Sequence, residues 1–356
     1  MKILFLFLTT IHGLIHLMGF SKAFGFSNIT QITKEISKPF GIFWLVTSLL
    51  FIVTAVLFLL KKDSWWIVGF IAIIISQILI FSVWQDAKFG TIPNIIIFVV
   101  IILFFGSISF ENSFKRDVKE NLKSNNSMTT EILTEKDIKQ LPEPVQRYLK
   151  YVGVIDKPKV KNVKVLFEGQ MREKGKDYFP FISEQFNFFN EPTRLFFMKG
   201  KIFGVNFLGY HNYSNSEATM DIRLFGLFSI VKKSGEIMDK VETVTLFNDM
   251  CLLAPATLID KRIQWESIND TLVKATFTNK KISITADLYF NNQGQLVNFI
   301  SKDRDINQYP FLTPVSEYRI INGYNLMSKA EAVWDYTDGK FTYGKFNLKE
   351  VVYNIK

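Results

Sequence analysis

Two histidines, His12 and His16, stand four residues apart in a stretch with no Asp, Glu, Lys or Arg, and the chain has only three histidines. On a helix this spacing puts both rings on one face. Ionisable groups inside a membrane usually face a bundle interior or a water-filled cavity. Metal ligation, haem ligation and proton relay are the chemistries open to such a pair. Haem ligation by two histidines needs rings on opposite sides of the iron, which one helix does not offer at this spacing. A metal would have to recruit Asp86, Gln77 or Asn94. The alternative is interhelical hydrogen bonding in the neutral form, with Thr47, Ser76, Gln77 or Asn94 as partners, and this is the expectation. Gly13 and Gly19 would let helices approach closely. Cys251 is the only cysteine, which excludes an internal disulfide and any Cys-based zinc or iron–sulfur site. No metal and no cofactor is expected.

In the second half of the chain the polar residues to inspect are Glu184, Asp249, Asp260, Arg262, Asp303 and Arg304. Paired carboxylates run acid/base chemistry when one is desolvated and its pKa raised. The competing expectation is that the arginines simply pair with these acids, as in Asp303-Arg304-Asp305. His211, beside Tyr210 and Tyr213, is the only histidine there, and a structural role is expected for it. No nucleophile elbow, phosphate-binding loop, dinucleotide fingerprint or zinc spacing occurs. The strongest signal is aromatic. Thirty-six phenylalanines exceed what a small core requires, and the runs Phe186-Asn187-Phe188-Phe189 and Leu195-Phe196-Phe197-Met198 put bulky groups on both faces of a strand. One face must cover the core, and the other is free to line a cavity for an apolar ligand. Phe186, Phe188, Phe197, Met198, Phe247 and Met250 are the candidate walls. The competing explanation is compositional bias toward Phe and Ile.

The elements that position these residues fall into two parts. Residues 1 to 110 carry seven basic and three acidic side chains, which leaves 35 basic and 30 acidic ones beyond. The net charge of +9 is thus shared between membrane-flanking lysines and a nearly balanced remainder, and nucleic-acid binding is not expected. Four uncharged stretches, Ile3–Ser21, Pro39–Leu60, Ser64–Gln85 and Phe89–Phe110, are long enough to cross a hydrocarbon core as helices. Trp44, Trp65, Trp66 and Trp84 near their ends suit the headgroup layer. The first stretch has one alternative, a cleaved signal peptide, and its start is cytoplasmic in both cases. With the N-terminus inside, Lys2, Lys61, Lys62, Lys115, Arg116, Lys119 and Lys123 face the cytoplasm against Lys22, Lys34, Lys38 and Lys88 outside. This favours a multi-pass protein of the cell (inner) membrane whose C-terminal domain is cytoplasmic. Three lysines between the first two helices are the counter-evidence.

Residues 111–130 turn polar and read as a flexible or helical tether, with the run Lys123-Ser124-Asn125-Asn126-Ser127. Residues 131–158 form a helical lead-in: Thr134 caps a short helix, and a second, from Pro142 or Pro144, carries Val145, Tyr148, Leu149 and Val152. From 159 to 356 the period switches to two. Val273–Thr278, Ile282–Phe290 and Leu296–Ser301 make an antiparallel meander, and Asn322-Gly323 and Asp338-Gly339 suit tight hairpin turns. A helix inserted near 236–259 carries Val244, Phe247, Met250 and Cys251 on one side and meets Pro255. The expected fold is four transmembrane helices plus a β-rich α+β domain, a large curved antiparallel sheet with a helix on its concave face.

Leu141-Pro142-Glu143-Pro144-Val145-Gln146-Arg147-Tyr148-Leu149, Ser183-Glu184-Gln185 followed by Glu191-Pro192, the turn Leu252 to Leu258, and Gly339 to Phe346 together resemble a bacterial domain-of-unknown-function family, over about Leu141 to Asn354. That resemblance implies no activity. More loosely, the order of strands, inserted helix and closing strands is similar to the half-barrels of lipoprotein carriers, which hold acyl chains in an apolar concavity. Architecture alone does not establish function, and those carriers are soluble and exported. Three functions follow as expectations: a membrane-anchored module that binds a lipid or similar apolar molecule, a carboxylate-based, hydrolase-like enzyme in the same concavity, or a membrane scaffold or sensor without catalysis. The first needs an apolar cavity with few buried charges, the second convergent carboxylates or an Arg–carboxylate pair, the third neither. The oligomeric state is left open.

Overall fold

A run of about 20 uncharged apolar residues can satisfy its backbone groups within a bilayer only as a helix. The computed structural model describes residues 2–124, 131–202 and 204–356. It begins with helices α1 (Lys2–Phe24), α2 (Lys38–Leu59), α3 (Trp65–Ser82), the single turn α4 (Trp84–Ala87) and α5 (Thr91–Ser124). Four helical stretches, the last running from Trp84 to Ser124, are long and apolar enough to cross a membrane. The expected tether is helical as far as Ser124, and the rest of it, residues 125–130, lies outside the described residues.

Two compact units divide the chain, Met1–Ser109 and Phe110–Lys356. In the first, small residues set the helix crossings. A Cβ on Gly19 would lie 2.2 Å from the Trp44 ring, and one on Gly13 would lie 2.8 Å from Phe51 Cβ. Phe5, Phe51, Trp65, Ala72, Ile73, Ile97 and Ile101 fill the space between helices. Trp44 and Trp65 are buried among the helices, at 3% and 2% exposure, whereas Trp84 is exposed.

The second unit opens with the last turns of α5, then α6 (Glu135–Ile138) and α7 (Glu143–Val152). Thr134 and Asp137 close a capping box on α6. Helix α7 buries Val145, Tyr148, Leu149 and Val152 and ends at Gly153, whose φ of 77° is the left-handed conformation of a helix stop. Six strands follow: β1 (Asn162–Met171), β2 (Phe179–Phe188), β3 (Thr193–Ile202), β4 (Val205–Ser214), β5 (Glu217–Leu224) and β6 (Phe228–Ser234). Helix α8 (Glu236–Leu253) separates them from β7 (Ile263–Asn269), β8 (Leu272–Asn279), β9 (Ile282–Phe290), β10 (Leu296–Ser301), β11 (Phe311–Ser316), β12 (Arg319–Ile321), β13 (Tyr324–Leu326), β14 (Lys329–Tyr336) and β15 (Gly339–Tyr353). Thirteen strands form one antiparallel sheet in the order β6-β5-β4-β3-β2-β1-β15-β14-β11-β10-β9-β8-β7, and β12 pairs with β13 alone. Asn322 and Gly323, both at positive φ, turn that small hairpin. In the β14–β15 hairpin Tyr336 pairs with Gly339, so its turn is centred on Thr337-Asp338, one residue before the expected dipeptide.

The sheet's curvature follows from what α8 touches. Strands β5 and β9 stand nine places apart in the sheet order. In a flat sheet they would be roughly 43 Å apart at ~4.8 Å per strand. Yet α8, a cylinder ~10–12 Å across, packs against both. The sheet therefore curls around the helix, and from Thr243 to Leu253 nearly every α8 side chain is buried. Tyr213 of β4 joins the two arms: its hydroxyl bonds Thr243 of α8 at 2.7 Å and accepts from Asn279 Nδ2 of β8 at 2.7 Å. The convex face of β2–β4 is covered in turn by Phe110, Phe114 and Val118 of α5.

Candidate functional site

Strand alternation places Gln185 and Asn187 of β2, Arg194 and Phe196 of β3, and His211 of β4 on the concave face. Glu242, Thr245, Asn248, Asp249 and Leu252 recur at helical spacing on α8, so one stripe of the helix meets them. These groups, Asn187 excepted, line a cavity of about 130 Å³ together with Phe167, Met171, Leu253, Arg304, Phe311, Met327, Ala332, Tyr343 and Phe346.

The polar wall of this cavity is organised by Arg194. Its Nε donates to Asp249 Oδ2 at 2.8 Å, Nη1 to Glu242 Oε2 at 3.0 Å and Nη2 to Gln185 Oε1 at 3.1 Å. Gln185 and Asn187 donate to the same Asp249 oxygen at 2.7 and 3.1 Å. The other Glu242 oxygen accepts from His211 Nδ1 at 3.0 Å, which leaves Nε2 without a partner among the described residues. Burial would raise the Glu242 pKa, but the Arg194 charge, the His211 hydrogen bond and more distant Arg304 outweigh it and hold the carboxyl at about 2. For Asp249 burial prevails over Arg194 and its amide donors, and its pKa is raised. Two carboxylates on one guanidinium are thereby driven apart. The Cys251 thiol, buried nearby, is pushed up by desolvation and is no nucleophile.

Besides His211 Nε2, Asn248 Oδ1 and the Arg304 guanidinium at the cavity lack a hydrogen-bond partner among the described residues. Asn248 Nδ2 donates to Thr313 Oγ1 at 2.7 Å, but its Oδ1 is buried without a hydrogen bond. The Arg304 guanidinium, in the segment before β11, lies 4.1 Å over the Phe311 ring and makes no hydrogen bond or ion pair.

Of the residues singled out from sequence, Asp249 and Arg304 line the cavity. Glu184 points to the opposite face of β2, paired with Lys164 at 3.3 Å beside a surface groove. Asp303 pairs with Lys240 at 2.7 Å and caps Thr285, and Asp260 pairs with Arg262 at 2.5 Å. Phe186, Phe188 and Phe197 lie under α5 on the convex face, with the Phe114 and Phe197 ring centres 5.3 Å apart. Met198 and Met250 belong to the concave-side core, where Phe247 stacks on Phe277 at 5.3 Å. None of these six lines the cavity. The walls are instead Phe167, Phe196, Phe311 and Phe346, one from each of four strands. Arg194, Glu242, Gln185 and Asn187 were not picked out from sequence; the available signal was a charged or amide group at an inward position of an otherwise apolar run.

In the first unit His12 Nε2 meets Asn94 Oδ1 at 2.8 Å, and His16 bonds the His12 carbonyl at 2.8 Å and Ser76 Oγ at 2.9 Å. Asn94 Nδ2 donates to Ser76 and Gln77, and Gln77 to Thr91 at 3.1 Å. This links α1, α3 and α5 through polar side chains. No group of three or more His, Cys, Asp or Glu suited to a metal ion occurs among the described residues.

A family model described as "Family of unknown function (DUF6544)" matches residues 131–346. The chain belongs to this family. DUF6544 thus takes in the helical lead-in, every cavity-lining residue and the strands up to the middle of β15. No match was found among curated proteins. Among solved structures, a LolA superfamily protein from Nitrosomonas europaea is similar at 7% sequence identity and a TM-score of 0.35, over 60% of this chain and 93% of that one.

Proposed function

We propose that the second unit binds a small apolar or amphiphilic molecule in the cavity beside α8, and that the four helices hold it at a lipid bilayer, on the cytoplasmic side. The cavity itself carries this reading: four phenylalanines, two methionines and two leucines surround it, while the adjoining polar wall is closed on itself through Arg194. Size restricts the occupant. A cavity of about 150 Å³ holds a benzene ring, and drug-sized pockets run to ~300 Å³ or more, so 130 Å³ accommodates a ring or the end of an alkyl chain. At ~0.8 kcal/mol per buried CH₂ a segment of roughly five carbons supplies about 4 kcal/mol.

Full-length protein in lipid nanodiscs, released into a native mass spectrometer, should carry a small molecule or take up a short-chain one near 1:1. Ala332→Leu, which fills the cavity, should abolish uptake. A bare mass in both proteins, with no uptake of any short-chain molecule, would remove this reading.

One observation favours a second reading. His211 is held by a buried carboxylate through Nδ1 while Nε2 has no partner among the described residues, the arrangement of an oriented general base. Ester turnover by the full chain that His211→Gln eliminates, at unchanged ligand affinity, would establish an enzyme in place of a carrier.

A further inference from the structure

We infer that the cavity's ligand is a monoanion, a short apolar body ending in a carboxylate, and that Arg304 is the residue that binds its head. This rests on the cavity being a ligand site, as proposed above.

Two guanidiniums line the cavity, and they differ in what their donors do. Arg194 is engaged at all three nitrogens, by Asp249, Glu242 and Gln185 at Nε, Nη1 and Nη2, and two carboxylates already offset its charge. It belongs to the wall. Arg304 also stands at the cavity, yet its donors meet no acceptor among the described residues. Its chain neighbour Asp303, the obvious counter-ion, is spent on Lys240 and Thr285. The Phe311 ring, 4.1 Å from the guanidinium carbon, holds the Arg304 head beside the apolar wall without using any of its N–H donors in a hydrogen bond to an acceptor among the described residues. A fork of parallel N–H donors matches a carboxylate in bidentate fashion. The Phe311 ring is both the platform for Arg304 and part of the apolar wall, so head and body of one small molecule can be met side by side.

The surrounding charges set the valence. Glu242 and Asp249 are committed to Arg194, and Glu331, which accepts from Thr342 at 3.3 Å, also lines the cavity. A dianionic phosphate would meet twice the repulsion from these carboxyl groups, with Arg304 the one cavity-lining guanidinium without a hydrogen-bonded carboxylate among the described residues. A monoanion is the smaller charge that Arg304 can hold against them.

Calorimetric titration of the full chain in nanodiscs, with empty nanodiscs as the blank, tests this with hexanoate and its neutral isostere 2-heptanone. Hexanoate should bind at least tenfold more tightly, and the gap should narrow with added salt. Arg304→Gln should bring hexanoate down to the ketone's affinity while leaving the ketone unchanged, which also shows that the variant is folded. Equal affinities in the unmodified protein, or a preference that survives Arg304→Gln, would overturn the assignment of the head group and leave the cavity as an apolar site. Failure of both compounds to bind would remove the cavity reading and this inference with it.

Discussion

Arg194 sits at 7% exposure with two carboxylates and two amides around it, so each of these groups depends on the others for its solvation. Removing one partner of a buried ion network leaves an uncompensated charge, at a cost of ~3–5 kcal/mol. Arg194→Met should destabilise the second unit by about that amount in chemical denaturation, with a smaller loss when Glu242 and Asp249 are neutralised alongside it. Acid should act on the same network. Glu242 has an ordinary pKa of 4.5 and is held at about 2 in the folded protein, so its contribution is present above 4.5 and is lost as pH falls toward 2. The shift corresponds to roughly 3 kcal/mol. Asp249 is shifted the other way and gains as pH falls, so the two must be separated by substitution. The stability difference between the unmodified protein and Glu242→Gln should be greatest near neutrality and close between pH 4.5 and 2; a difference that does not change across that window would show that Glu242 is not ionised in the fold. This network was poorly legible in the sequence because its members come from β2, β3, β4 and α8, with Arg194 and Glu242 separated by 48 residues. Short-range motifs carry no information about such a pairing. Asp249 and Arg304 could be picked out as charged residues next to apolar runs, but nothing local distinguished them from Glu184, whose strand position turns it to the other face.

At the scale of elements, period and punctuation sufficed for most of the fold. The meander β8–β10 was visible because Ile282, Ile284, Ala286, Leu288 and Phe290 keep a strict alternation between turn residues, and α7 and α8 because their apolar residues recur at helical spacing. The aromatic runs misled about place. A strand with Phe on both faces has two apolar neighbours, and sequence does not say whether the second is a ligand or a helix. Here it is α5, whose Phe114, 1% exposed, lies against Phe186, Phe197 and Tyr210. Asp117, one turn on, accepts from the Tyr210 hydroxyl at 2.7 Å. Phe114→Ala should cost ~3–5 kcal/mol and release the helix from the sheet. Hydrogen exchange should then show residues 110–124 losing protection while β8–β10 keep theirs, and unchanged protection of this segment would show that the aromatic contact does not hold it. The closure of the sheet is also a matter of single side chains. Tyr213→Phe removes the hydroxyl shared by Thr243 and Asn279, leaves the Asn279 amide unpaired and should cost ~1–3 kcal/mol. Its effect should concentrate on β4 and β8 in the same exchange experiment.

For the whole molecule, the proposed membrane placement of the cavity would decide which pool of the proposed ligand it meets, and the first unit bears on it. The charge bias toward a cytoplasmic N-terminus is only seven against four, and the opposing lysines include Lys22 and Lys34 in and after α1. Both are structurally engaged. Lys22 Nζ donates to the Ile29 and Ile32 carbonyls, and Lys34 Nζ donates to the Ser82 carbonyl at 2.8 Å, while Asp86 receives the Thr33 and Lys34 backbone N–H groups. Lysines that close a loop onto helix ends have a reason to be there independent of topology, which removes two of the four counter-votes and strengthens the positive-inside assignment. The chain is well suited to a direct check, because Cys251 is its one cysteine and is fully buried. In intact cells, a membrane-impermeant maleimide should label Lys88→Cys but not Lys62→Cys or Lys356→Cys, and permeabilisation should expose the latter two. Labelling of Lys356→Cys in intact cells would place the cavity outside, where the carboxylate proposed for it would have to come from the periplasmic or extracellular pool.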